Sequence, residues 1–172
     1  MGSHFVTLHV CPLENVRAMV GSRDLTILNR IGGAVRQKYE QSLTELIEGT
    51  YDKNGNERAA DLIRAFELLC KMASKHSVTI EMYDDEEEAP LLWRLCWEGD
   101  DGIELPFSEE GTPAVTYHAP SSAQLLLDKF QGLQQNGGYD SRYLNQESLT
   151  EIVKALQIAI STKTGLLGFV EY

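Results

Sequence analysis

Asp84, Asp85, Glu86, Glu87 and Glu88 stand in an unbroken row, and Asp100, Asp101 and Glu104 follow a short distance along the chain. Carboxylates that converge on one point can hold a hard divalent cation, which takes several oxygen ligands at once. Consecutive residues converge poorly, because alternate side chains of an extended stretch point opposite ways, so the row reads first as a solvated, self-repelling loop. No metal site is assigned. The other chemistry open to clustered carboxylates is recognition: their summed field steers a cationic partner, and neighbouring aromatic side chains supply contact energy on docking. Trp93, Trp97, Phe107 and Tyr117 are the candidate anchors, with both tryptophans in the core as the plainer reading. The candidate partner-binding set is Asp84, Asp85, Glu86, Glu87, Glu88, Trp93, Trp97, Asp100, Asp101 and Glu104, and the partner it implies is a basic protein.

Other reactive residue types are present without a motif to organise them. His4, His9, His76 and His118 lie in no metal-ligand spacing, and His9 beside Cys11 does not by itself orient a base toward sulfur. Asp52, Asn54 and Asn56 alternate as in a calcium loop, but Glu57 and Ile63 occupy the places of the required glycine and bidentate glutamate; Asn54-Gly55 reads as a turn and Asn56 as a helix cap. The chain has no GxSxG elbow, no GxxxxGK[ST] phosphate loop and no GxGxxG turn. Catalytic residues therefore stay unassigned, and no cofactor is implied.

The charge is regional. The chain has 26 acids and 15 bases for a net charge of −11, and residues 81–110 alone hold 12 acids and 1 base, leaving 14 of each elsewhere. A nucleic-acid surface would be repelled, and no basic stripe with interleaved aromatics compensates. Anionic membranes are disfavoured for the same reason, and no apolar run approaches the ~18 residues of a membrane span. The N-terminus lacks the pattern of a secretion signal. Cys11, Cys70 and Cys96 are odd in number and form no CxxC pair, which suits small buried thiols in a reducing cytoplasm.

At 172 residues and 42% hydrophobic content, the chain is expected to form a single domain, 1–172, with an acidic, loop-rich insertion around 84–112. HFVTLHV reads as a first strand. Pro12 is expected at a first helical position, with Leu13, Val16 and Val20 on one face and a stop at Gly21. Ser22 is the expected cap of a long stripe from Leu25 to Ile47, which Gly32 and Gly33 must break or turn into a close crossing. A strong helix covers residues 57–74 and a strand residues 78–83. LLWRLCW is apolar at both parities, as in a strand covered on two faces; a helix with Trp93 and Trp97 one turn apart is the other reading. AVTYH is a short strand. A helix over 123–135, capped by Ser121 or Ser122, ends at Gly137-Gly138, and a last helix carries Leu149, Ile152, Val153, Leu156 and Ile160 to Gly165. LLGFVEY closes the chain as a strand. The fold class is α+β: a small mixed or antiparallel sheet that pairs the N- and C-terminal strands, packed with about five helices.

The segment HVCPLENVRAMVGSRDLTILNRI and the closing ALQIAISTKTGLLGFVEY resemble the two ends of small uncharacterised bacterial proteins of the YfbM-like group. The resemblance implies a bacterial, cytoplasmic, single-domain α+β protein and assigns no residue a role. The function expected from the charge is a non-enzymatic interaction module, such as an immunity protein or antitoxin that sets carboxylates against a basic partner. A small metal-dependent hydrolase using Asp100, Asp101 or His118 is the alternative, provided a pocket gathers those side chains. A structural subunit of a larger assembly is a third reading, favoured by a wide apolar patch around LLWRLCW.

Overall fold

A computed structural model describes residues 3–53, 56–83, 85–100 and 114–171. The chain runs β1 (His4–Cys11), α1 (Leu13–Met19), a 3-10 segment Leu25–Arg30, α2 (Gly33–Glu48), a 3-10 turn Asn56–Arg58 and α3 (Ala59–Ala73). It continues with β2 (His76–Met82), α4 (Pro90–Trp97), β3 (Ala114–His118), α5 (Pro120–Gln135), α6 (Gln146–Ser161) and β4 (Gly165–Glu171). The described residues form two compact units: one within residues 12–74, the other from residues 3–11, 75–100 and 114–171.

The first of these units is helical where it is described. α2 and α3 pack together, burying Leu43, Leu46 and Ile47 of one and Leu62, Ile63, Phe66 and Leu69 of the other. The glycine pair breaks the long stripe: Gly32 is extended (φ −58°, ψ 143°) and ends the 3-10 segment before Gly33 opens α2. The cap is not Ser22 but Asp24, whose carboxylate accepts from the Thr26 amide at 3.1 Å, because only a side chain next to the first turn reaches its free N–H groups. Pro12 likewise sits at the cap position rather than inside α1. At the end of α2, Gly49 takes the left-handed conformation (φ 74°) that closes a helix, and an added Cβ there would lie 3.3 Å from the Gly21 backbone. Arg58 clamps the Glu45 carboxylate with contacts of 2.5 and 2.7 Å and reaches Ser42 at 2.9 Å.

The other unit carries an antiparallel sheet in the order β2-β1-β4-β3. The N- and C-terminal strands lie side by side at its centre, with Val6 opposite Val170 and Val10 opposite Leu166, as the terminal alternation leads one to expect. Val6, Leu8, Val10, Ile80 and Met82 share one face and pack with α4, α5 and α6 through Leu92, Leu95, Phe130, Ile152 and Leu156. On the reverse face Thr7 and Thr79 join hydroxyls across the strand pair at 3.0 Å, and His9 Nδ1 meets Ser77 Oγ at 2.7 Å. The fold is α+β with its sheet antiparallel.

LLWRLCW is a helix and not a strand. Pro90 occupies its first turn, where the missing N–H costs nothing, and Leu92, Leu95 and Cys96 recur at the three and four spacing of a buried helical face. α5 starts at Pro120 and receives no side-chain cap from Ser121 or Ser122. α6 stops at Thr162 and Lys163 (φ 53°), ahead of Gly165, which is already the first residue of β4. Cys11, Cys70 and Cys96 are buried thiols without disulfides. Of the acidic stretch 84–112, Asp84 and residues 101–112 lie outside the described residues, as does the turn Asn54-Gly55.

Candidate functional site

α4 organises the candidate residues by separating them. The acidic turn Asp85–Glu88 enters the helix, and Glu98, Gly99 and Asp100 leave it, so the two groups stand at opposite ends of eight helical residues, ~12 Å of rise.

At the entering end Asp85 folds the turn on itself. Its carboxylate accepts from the amides of Glu87 (2.9 Å) and Glu88 (2.8 Å), and its carbonyl accepts from the Ala89 amide at 2.9 Å. Asp85 is thereby half-buried, while Glu86, Glu87 and Glu88 project into solvent. Three tyrosines border the turn. The Tyr143 hydroxyl donates to Glu88, Tyr139 Oη accepts from the Leu91 amide at 3.2 Å, and the Tyr83 amide donates to the Tyr143 carbonyl at 3.0 Å. The rings of Tyr139 and Tyr143 meet edge to face at 6.5 Å, and Tyr83 is 40% exposed. The hydrogen bond to Glu88 holds the Tyr143 phenol above its ordinary pKa, and burial does the same for Tyr139, so both stay neutral donors near pH 7. Arg142 stacks over Tyr143 at 5.5 Å and pairs with Asp140 at 3.2 Å. Sequence reasoning did not single out these tyrosines; Tyr139 and Tyr143 are four apart, the one signal they offer.

Trp93 and Trp97 are half-buried, their rings 5.8 Å apart along the flank of α4, and Trp97 meets His4 edge to face at 6.3 Å. Trp97 packs against the core, so it is a wall of the fold as much as a surface anchor. Tyr117 lies in β3, its ring over Gly165, where an added Cβ would come within 2.0 Å of it.

At the leaving end, Asp100 is a structural group. Its amide donates to the Tyr117 carbonyl at 2.7 Å, and Gly99 has no room for a side chain there, since a Cβ would lie 2.7 Å from the same oxygen. This pairing aims the carboxylate at the first turn of α5, where it accepts from the Ala119 amide (2.5 Å) and the Ser122 hydroxyl. Asp100 is the missing cap of α5, supplied from a distant segment. His118 is 3% exposed and its Nε2 donates to the Leu95 carbonyl at 3.1 Å, an oxygen that also accepts from Thr116 at 3.2 Å. Burial pushes the His118 pKa down, against smaller opposing contributions from that bond and from Asp100. A cleft of about 100 Å³ opens here, lined by Asp100, His118, Ser122, Arg94, Glu98 and Lys129 among others.

The cleft gathers Asp100 and His118, two residues the hydrolase reading requires, but not as a catalytic relay. Ser122 gives its proton to Asp100 and not to the imidazole, and His118 is held by a backbone carbonyl. Among the described residues no three His, Cys, Asp or Glu side chains are placed to hold a metal ion. Asp84, Asp101, Glu104 and Phe107 lie outside the described residues. No described helix is long and apolar enough to cross a membrane.

A family model described as Domain of unknown function (DUF7691) matches residues 2–171. No curated protein and no solved structure matches the chain. The likeness of the chain ends to the YfbM-like group finds no support in these matches.

Proposed function

We propose that this chain, which belongs to the family described as Domain of unknown function (DUF7691), is a non-enzymatic binding module that receives a cationic segment of a partner protein. The observation that supports the reading is the corner before α4. Asp85, Glu86 and Glu87 make no ion pair with a basic side chain among the described residues, and Tyr83, Tyr139 and Tyr143 stand beside them. Unneutralised carboxylates raise the encounter rate with a basic surface, and tyrosines give contact area and cation–π attraction to lysine or arginine at little cost in side-chain entropy. In its finer form the reading is an immunity protein or antitoxin of a bacterial cytoplasm, covering the basic face of a toxin in place of the toxin's anionic substrate. The third reading, a subunit built on an apolar patch, loses its basis where Leu92, Leu95 and Cys96 turn inward.

The test is binding of a synthetic lysine- and arginine-rich peptide by titration calorimetry across a salt series. D85N/E86Q/E87Q/E88Q keeps the turn-forming oxygen of residue 85, and its affinity is expected to fall roughly tenfold, about 1.4 kcal/mol, with a shallower salt dependence. A control that neutralises as many acids elsewhere, at Glu14, Glu40, Asp61 and Glu147, is expected to bind nearly as the wild type does. Equal losses in both would mean that net charge alone is read, and the corner would have no role.

A further inference from the structure

The cleft at the leaving end of α4 is independent of the acidic corner, and its lining has an order of its own. The floor is made of acceptors. With Nε2 committed to Leu95, the neutral His118 imidazole has a lone pair on Nδ1 that no described residue uses, and Asp100 keeps acceptor capacity beyond its two bonds. The exposed part of the lining is of mixed charge: Arg94 and Glu98 come from α4 and its end, and Lys129 from α5, so two cations stand against one carboxylate. Among the described residues Arg94 pairs with Glu98 at 3.9 Å, but side chains 49% and 55% exposed at that distance are held together weakly, and the pair opens at small cost. Leu126, which is buried, and Leu125, 62% exposed, add apolar surface of α5 to the lining. A dry cavity of ~150 Å³ takes the six heavy atoms of benzene, so a cleft of about 100 Å³ encloses about four, and its open mouth leaves one or two more at the rim.

We infer that this cleft binds a small zwitterion of the free α-amino-acid class, its ammonium on His118 and Asp100 at the floor and its carboxylate between Arg94 and Lys129 at the rim. Neither a simple anion nor a simple amine satisfies both ends. A site that pairs buried acceptors with an ammonium rejects analogues lacking it, because its polar groups are then left unpaired.

The experiment follows the His118 imidazole nitrogens by long-range 1H–15N NMR on the intact chain above pH 7, with glycine, alanine, acetate and ethylamine added one at a time. Glycine or alanine is expected to shift His118 saturably, and acetate and ethylamine to bind at least tenfold more weakly. Arg94→Gln, at a half-exposed position, is expected to weaken alanine binding tenfold or more with the thermal unfolding curve unchanged. No response of His118 to either amino acid at tens of millimolar, acetate matching alanine, or wild-type affinity in R94Q would each overturn the assignment. The acidic-corner variant serves as a control that leaves this titration unaltered, so the two ideas fail separately.

Discussion

Asp100→Ala isolates the contact on which the leaving end of α4 depends. The carboxylate accepts from the Ala119 amide at 2.5 Å and from the Ser122 hydroxyl, and α5 has no cap of its own. A hydrogen bond to a charged group contributes ~1.5–3 kcal/mol, a lost helix cap costs ~0.5–2 kcal/mol, and a negative charge at a helix N-terminus adds ~0.3–1 kcal/mol. These describe overlapping parts of one interaction, and the site is partly open to water that will replace some of it. The net expectation for D100A is ~2–3 kcal/mol, which at 172 residues lowers Tm by about 5–10 °C. Asp100→Asn keeps one carbonyl oxygen and should lose about half as much. Urea unfolding followed by circular dichroism gives both numbers. If D100A lies within ~0.5 kcal/mol of the wild type, or if D100N is the worse of the two, the capping account is wrong.

Two further outcomes follow from side chains around the same strand. Burial lowers the His118 pKa below the unfolded value near 6.5. The unfolded chain therefore takes up the proton first, and this contribution to stability, full above about pH 6.5, is lost as pH falls through the folded value. Asp100 favours the charged ring and Arg94 opposes it. Urea midpoints at neutral and mildly acid pH should converge in His118→Gln relative to the wild type, and an identical pH dependence in both proteins would reject the assignment. Gly165→Ala places a methyl 2.0 Å from the Tyr117 ring and should cost ~1–3 kcal/mol. In a Tyr117→Ala background the penalty should nearly vanish, and a double-mutant cycle with no coupling would show that the ring is not what excludes the side chain.

The terminal strands and the long helices were legible because their periods are long and unbroken: Val6, Leu8 and Val10 alternate, and Leu149, Ile152, Val153 and Leu156 keep a three and four spacing. LLWRLCW stays open between strand and helix in the sequence because seven residues apolar at both parities fit either period. The information that settles it was Pro90 at the start and Arg94 with Glu98 four apart, both ordinary for a helix and neutral or awkward for a central strand. The caps failed for another reason. Ser22 and Ser122 are good capping residues by type, but Asp24 lies nearer one helix start, and Asp100 reaches the other from a different segment, which no local pattern reveals. The same holds for the sites. Asp100 and His118 are brought together by bonds from Asp100 to Tyr117, Ala119 and Ser122, across a separation of some eighteen residues, and Glu88 meets Tyr143 only once α4 and the segment before α6 are in place.

The position of β4 between β1 and β3 has a bearing on how this molecule is made. β3 pairs with β4 and with no other described strand, and β1 before then has only β2. A ribosome delivers residues 165–171 after the other three strands of this sheet, so the β1–β2 pair and β3 must wait, unjoined, until β4 slides between them. Assembly of this sheet is thus a closing event rather than a progressive one, and a nascent chain stalled short of Gly165 would hold exposed strand edges of the kind that chaperones cover.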